Sequence, residues 1–122
     1  MKTRRKAPES KPLVLFFLDM TNTVKLFHWN TESYAAHKAS DELYDKLGGL
    51  IDKFVEVMTR DERVPLFETN IKTTNLSKMD FVRKLHSFES ALKNLKVQND
   101  LANIRDEMLE AIHQFFFLLK LK

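Results

Sequence analysis

Two histidines and three carboxylates stand at spacings that suit a metal site. His28 is followed by His37, Asp41, Asp52 and Glu56. If the last four share one helix, a turn of 100° per residue places them on a single stripe of its surface. The chain has no cysteine, so a metal would be held by nitrogen and oxygen ligands. Taken singly, each residue fits the plainer interpretation of a packed histidine or a solvated carboxylate, but the shared stripe favours a site.

This stripe can form a complete site only between two copies of the chain. His37 and Glu56 are 19 residues apart, which is roughly 28 Å along a helix, so they cannot bind one ion within one chain. The pairs His37 with Glu56 and Asp41 with Asp52 share a midpoint between residues 46 and 47. A two-fold axis at that midpoint would assemble both pairs between antiparallel helices. The alternative is a dimer without metal, in which the acidic stripe is merely solvated.

Both glycines of the chain lie beside this midpoint. Gly48 and Gly49 fall in mid-helix, where each glycine costs about 1 kcal/mol relative to alanine. Close approach of a second helix would explain them, and a tolerated kink would explain them equally well.

Four amphipathic segments supply the elements that would position the site. Apolar residues recur at three- and four-residue steps over residues 12–27, 34–59, 77–95 and 101–118. This periodicity predicts four helices that each bury one face. Two glycines and three prolines among 122 residues favour long helices, and the length supports one core.

The connection between the second and third helices is long. Residues 60–76 make about 17 residues, whereas a bundle hairpin usually needs roughly 2 to 8. Fully extended, they would reach roughly 56 Å, enough to return along a second helix of roughly 39 Å. We therefore predict an all-α fold over residues 12–122, a ferritin-like four-helix bundle with a long crossover between helices two and three. A disordered loop in a simple up-and-down bundle is the alternative.

A basic segment precedes the predicted bundle. Lys2, Arg4, Arg5 and Lys6 lead residues 1–11, whose charges balance to +4 in a chain of net charge +3. We predict a flexible tail whose four leading side chains could neutralise DNA phosphates without reading the base sequence. A solubilising terminus is the plainer alternative.

The apolar run that follows this segment predicts neither export nor membrane insertion. Residues 13–18 are apolar, but Asp19 ends the run and no small-residue cleavage site follows, so no signal peptide is predicted. No stretch approaches the roughly 20 apolar residues that a membrane-spanning helix needs. We expect a protein of the cytoplasm with no membrane partner.

The candidate ligands resemble those of the Dps mini-ferritins. That family shows an HWN signature, a second histidine, an aspartate four residues later, and an Asp/Glu pair eleven and fifteen residues beyond that aspartate. Here HWN occupies residues 28–30, and His37, Asp41, Asp52 and Glu56 match the remaining spacing without a gap.

The resemblance implies a function as well as a site. In that family the two histidines and the first aspartate come from one subunit, and the acidic pair comes from its two-fold partner. The implied activity is oxidation of Fe(II) by hydrogen peroxide or oxygen, with iron storage in a larger shell and protection of DNA. Zinc is the alternative metal, because histidine and carboxylate ligands bind it without a redox step.

The resemblance covers residues 13–58, and the second half of the chain matches only as a helix pattern. The pattern also resembles small ferritin-like domains of phages and large DNA viruses, which would place the protein in a host cytoplasm or a virion. His28 and His37 are nine residues apart, about three fewer than in typical Dps proteins. A tighter turn between the first two helices is therefore predicted.

A competing metal motif lies nearer the C-terminus. Glu110 and His113 form the Glu-x-x-His pattern of di-iron bundles. They lie off the apolar stripe of the fourth helix, however, and the predicted core stripes offer them no ionisable partners. We interpret both as surface residues, and we identify no partner for His86, which lies near Glu89.

Overall fold

The computed structural model describes residues 10–121, and its regular elements there are all helices. The four helices are α1 Ser10–Asn30, α2 Tyr34–Met58, α3 Lys78–Lys93 and α4 Asn99–Lys120. The prediction of an all-α four-helix fold is therefore confirmed.

Local signals in the sequence explain where the helices begin. The hydroxyl of Ser33 accepts a hydrogen bond from the Ala36 N–H and caps α2. Ser77 caps α3 in the same way, accepting from the Asp80 N–H at 3.2 Å, and an acidic residue three positions after a serine is typical of a helix start. α1 begins at Ser10, two residues before the predicted start at Pro12. Proline fits there because the first turn of a helix has no partner for its N–H groups.

The helices form a bundle in which α2 and α3 are diagonal. Direct packing joins α1 with α2, α2 with α4, α4 with α3, and α3 with α1. The Phe17 ring lies 5.2 Å from that of Phe54, and the Phe27 ring stacks on Phe81 at 4.1 Å. Phe17 near the start of α1 thus meets Phe54 near the end of α2, and His28 at the end of α1 meets His37 at the start of α2. α1 is therefore antiparallel to α2.

The long crossover follows from the directions of the helices. Phe16 contacts Phe88 while Phe27 contacts Phe81, so α1 is also antiparallel to α3. Since α2 and α3 then run the same way, residues 59–77 must return along the bundle. Lys11, at the start of α1, lies 5.1 Å above the Phe67 ring, which places the crossover beside that end of the bundle. The predicted long connection is confirmed, and it forms no helix of its own.

The core consists of the predicted apolar stripes and is rich in aromatic side chains. Most stripe positions are buried, and Leu50, Val57 and Leu95 are partly buried at its edge. The largest fully buried side chains are Phe17, Phe54, Phe81, Phe115, Met20, Leu43, Leu47, Leu85, Leu92, Met108, Ile112 and Val24. Within residues 10–121, none of the helices is long and apolar enough to cross a membrane.

Candidate metal centre

The two candidate histidines meet where α1 gives way to α2. His28 lies in the last turn of α1 and His37 in the first turn of α2. Their rings stack with centres 4.0 Å apart and planes inclined by 21°. The three-residue connection, residues 31–33, is short enough to bring both rings to the same side of the turn. The tight turn predicted from their spacing is therefore present.

Each histidine donates a hydrogen bond to the backbone of the other. Nδ1 of His28 lies 3.0 Å from the His37 carbonyl oxygen, and Nδ1 of His37 lies 2.9 Å from the His28 carbonyl oxygen. A carbonyl oxygen can only accept, so each Nδ1 must carry the proton. In the neutral rings both Nε2 atoms then keep a free lone pair. This tautomer is the one in which histidine binds metal through Nε2 while Nδ1–H is held by the protein.

Ser40 supports this arrangement from one turn further along α2. Its hydroxyl lies 3.0 Å from the His37 carbonyl oxygen, to which it donates, and 3.2 Å from Nδ1 of His28. Ser40 is fully buried, and a buried polar group needs such partners. It thus fixes both the His28 ring and the carbonyl that this ring binds. The sequence offered no signal for this role.

Asp41 is the third candidate ligand near the histidines. Its Oδ1 lies 3.9 Å from Nε2 of His28, and its side chain is 56% exposed. His28 is buried, whereas His37 is exposed. His28 is therefore packed against the protein interior, whereas His37 and Asp41 face outward.

The chain does not bring Asp52 and Glu56 to the histidines. Both are exposed on α2, and Glu56 lies roughly 28 Å along the helix from His37. Among residues 10–121, no three or more His, Asp or Glu side chains are grouped so that they could hold a metal ion. The described chain therefore contains two separate groups of candidate ligands at opposite ends of α2.

Nothing within the described chain requires glycine between these two groups. α2 is a continuous helix through Gly48 and Gly49, and neither has a positive φ. A Cβ atom added to either glycine would meet no other atom within 4 Å. Neither backbone conformation nor packing inside residues 10–121 thus explains the pair.

Comparison with known proteins gives one family. The family described as "Family of unknown function (DUF5856)" matches residues 28–119. The chain belongs to this family. No curated protein and no solved structure matches the chain. The matched span contains all five candidate ligands, but the family description names neither metal nor nucleic acid.

In this DUF5856 chain the competing Glu-x-x-His motif does not converge. Glu110 lines a groove between α4 and α2. His113 is on the other flank of α4, where its Nε2 lies 2.6 Å from Oε2 of Glu89. The interpretation of both as surface residues agrees with this geometry.

His86 has a partner that the sequence reading did not identify. Its Nδ1 lies 3.0 Å from Oε1 of Glu89, and its ring stacks on Phe116 at 4.2 Å. The spacing of three residues between His86 and Glu89 on one helix was the available signal. The bond from His86 is the main reason why the pKa of Glu89 is lowered, although partial burial opposes it; His113 and Lys93 also lower the pKa.

A cationic and aromatic group adjoins the histidines on the face shared by α1 and α2. The ammonium of Lys25 lies 4.3 Å above the Tyr44 ring and 5.6 Å above the Trp29 ring. Trp29 is 65% exposed, so much of its ring remains available beside His28.

The predicted DNA contacts Lys2, Arg4, Arg5 and Lys6 lie outside the described residues.

Proposed function

We propose that this DUF5856 protein binds and oxidises Fe(II) at sites shared between two copies of the chain, as the Dps mini-ferritins do. The observation that carries the proposal is the reciprocal bonding of His28 and His37. It leaves a lone pair on each Nε2, and the Nε2 of His28 lies 3.9 Å from Oδ1 of Asp41.

The donor set suits iron. Imidazole nitrogen and carboxylate oxygen bind Fe(II), and a carboxylate-rich shell also stabilises Fe(III). Zinc would accept the same ligands without any redox chemistry. The alternative to a ferroxidase is therefore a zinc-bound or metal-free helical scaffold that binds nucleic acid through its tail.

A second copy would complete each site. In the proposed dimer, two α2 helices pair antiparallel about an axis between residues 46 and 47. His37 and Asp41 of one copy then face Glu56 and Asp52 of the other. The unexplained glycine pair beside this axis supports the pairing, because glycine lets two helices approach closely. Each site would lie about 7.5 residues from the axis, which puts the two sites roughly 22 Å apart.

The reaction needs only an oxidant and the held ions. Two Fe(II) ions give one electron each to one hydrogen peroxide molecule, whose O–O bond breaks to give two hydroxide ions and two Fe(III) ions. The histidines and carboxylates hold the iron while its charge rises. With oxygen as the oxidant, two Fe(II) ions would give one electron each, and the oxygen molecule would take up two protons to leave as hydrogen peroxide.

DNA protection is a separate part of the proposal. The +4 balance of residues 1–11 favours contact with phosphates, which would keep iron oxidation close to DNA. Storage of the product in a larger shell would require further interfaces beyond the dimer.

The test removes the acidic pair and measures iron. Asp52→Asn with Glu56→Gln should abolish stoichiometric Fe(II) binding and leave helical content unchanged, because both side chains are exposed. The matched control, Glu107→Gln with Glu110→Gln, removes two exposed carboxylates from α4 and should keep full binding. Unchanged iron stoichiometry in the first variant would exclude the site. Metal analysis of the purified protein, with added zinc as a competitor, distinguishes iron from the zinc-bound alternative.

Mixing two defective variants tests whether the site is shared. A His28→Ala, His37→Ala chain lacks one half of each site, and an Asp52→Asn, Glu56→Gln chain lacks the other. Heterodimers of the two should hold one intact site and one doubly defective site. Iron binding should therefore reappear on mixing, although neither variant binds alone. A site formed within one chain predicts no recovery.

A further inference from the structure

A groove between α3 and α4 lies away from the proposed iron site. It has a volume of about 340 Å³ and is at the end of the bundle where α3 begins and α4 ends. Val82, Phe116 and Leu119 form its apolar surface, and all three remain partly exposed. Pockets for small molecules commonly measure roughly 300 to 1,000 Å³. The groove is therefore large enough for a small ligand.

The ionisable side chains that the structure describes along this groove are two lysines and one histidine. Lys78, His86 and Lys120 line it, and among residues 10–121 no carboxylate side chain does. One of the lining residues contacts a carboxylate outside the lining, because Nδ1 of His86 bonds Glu89. Glu89 is also within 2.6 Å of His113 and 3.8 Å of Lys93. Glu89 thus has partners of its own, and the two lysines of the groove favour an anionic group.

His86 is held in place, unlike the two lysines. Its Nδ1 bonds Glu89, and its ring stacks on the Phe116 ring with the two ring planes inclined by 16°. Because Nδ1 donates to the carboxylate, Nε2 is the nitrogen that remains for a ligand.

We propose that this groove binds a small amphiphile with a carboxylate head and an alkyl chain, such as a fatty acid. The alkyl chain would cover Val82, Phe116 and Leu119, and the carboxylate would contact Lys78 and Lys120. A protein partner fits less well. The stripe from residue 78 to 86 is roughly 12 Å long, whereas a stable protein interface of about 800 Å² on each partner is roughly 28 Å across.

Calorimetric titration of the full chain with octanoate and decanoate, below their micelle concentrations, tests the proposal. Each methylene that becomes buried should strengthen binding about fourfold. Decanol, which lacks the charge, should bind more weakly than decanoate. Lys78→Ala with Lys120→Ala should weaken decanoate binding about fivefold. The matched control, Lys72→Ala with Lys96→Ala, removes two exposed lysines outside the groove and should bind normally.

Filling the groove provides an independent test. Val82→Trp should prevent decanoate binding, and Val82→Ala should retain it. In wild-type protein, amide shifts in NMR spectra should change most around Val82 and Phe116. The proposal is overturned if wild-type protein does not bind decanoate, if decanol binds equally well, or if the shifts centre elsewhere. These results do not depend on iron, so they leave the proposed ferroxidase function untouched.

Discussion

Replacing Gly48 and Gly49 by alanine should stabilise the chain and weaken its self-association. Alanine fits both positions without collision, because an added Cβ meets nothing within 4 Å and neither backbone has a positive φ. Each substitution should then gain about 1 kcal/mol of helix stability, or about 2 kcal/mol together. For 122 residues the unfolding entropy is about 0.26 kcal/mol/K, so the melting temperature should rise by about 8 °C.

Self-association should change in the opposite direction. If two α2 helices approach through these glycines, two added methyl groups per chain must push the helices apart. We expect the dimer to dissociate at least about tenfold more readily, which corresponds to about 1.4 kcal/mol. Unfolding in urea at protein concentrations where the chain is monomeric measures the first effect. Sedimentation equilibrium measures the second.

A control variant separates helix propensity from contact. Ala91 is exposed on α3, so Ala91→Gly should lower the free energy of unfolding by about 1 kcal/mol and leave association unchanged. If the Gly48, Gly49 variant associates as tightly as wild type, the glycines do not mark a close helix contact. If its monomer is less stable than wild type, the argument from open space is wrong.

Two further predictions concern the tail and the α3–α4 contact. Deleting residues 1–9, which leaves the whole of α1, should weaken DNA retardation and reduce its salt dependence without changing iron oxidation; a full-length chain that never retards DNA at low salt would make the tail a solubility element. Glu89→Gln should lower the free energy of unfolding at neutral pH but have little effect well below pH 4.5. Because the pKa of Glu89 is lowered in the folded state, the carboxylate stabilises the fold above its unfolded pKa of 4.5, and this stabilisation is lost as the pH falls through the folded pKa. Urea unfolding at both pH values measures the effect. Equal losses of unfolding free energy at the two pH values would contradict the prediction.

The helices were predictable because their signals are local. The Ser77 to Asp80 capping pattern and the apolar stripes each depend on residues within four positions of one another. The crossover was predictable from length alone, because about 17 residues are too many for a bundle hairpin. α1 begins two residues before Pro12, where the sequence predicts its start, because helix ends vary by a residue or two.

The side-chain contacts that the sequence does not predict are those between helices. His86 and Glu89 are neighbours on one helix, but the second bond of Glu89 goes to His113, which is 24 residues away. Ser40 lies among the buried residues of α2. Its bond to the His37 carbonyl and its contact with the His28 ring depend on how α1 meets α2, and no spacing within a helix encodes that.

The bonds of His37 raise a structural explanation that must be separated from metal binding. The His28 carbonyl lies in the last turn of α1, where carbonyl groups lack partners within the helix, and His37 Nδ1 supplies one at 2.9 Å. This role needs only a donor, which asparagine also has. His37→Asn should therefore keep most of the stability while losing the Nε2 ligand, so Fe(II) binding should fall sharply. His37→Ala should lose both the Nε2 ligand and the hydrogen bond to the His28 carbonyl, and loss of that bond should lower the free energy of unfolding by about 1 kcal/mol. Urea unfolding and iron titration of the two variants measure each effect separately, and full iron binding by His37→Asn would make the histidine pair a helix cap and nothing more.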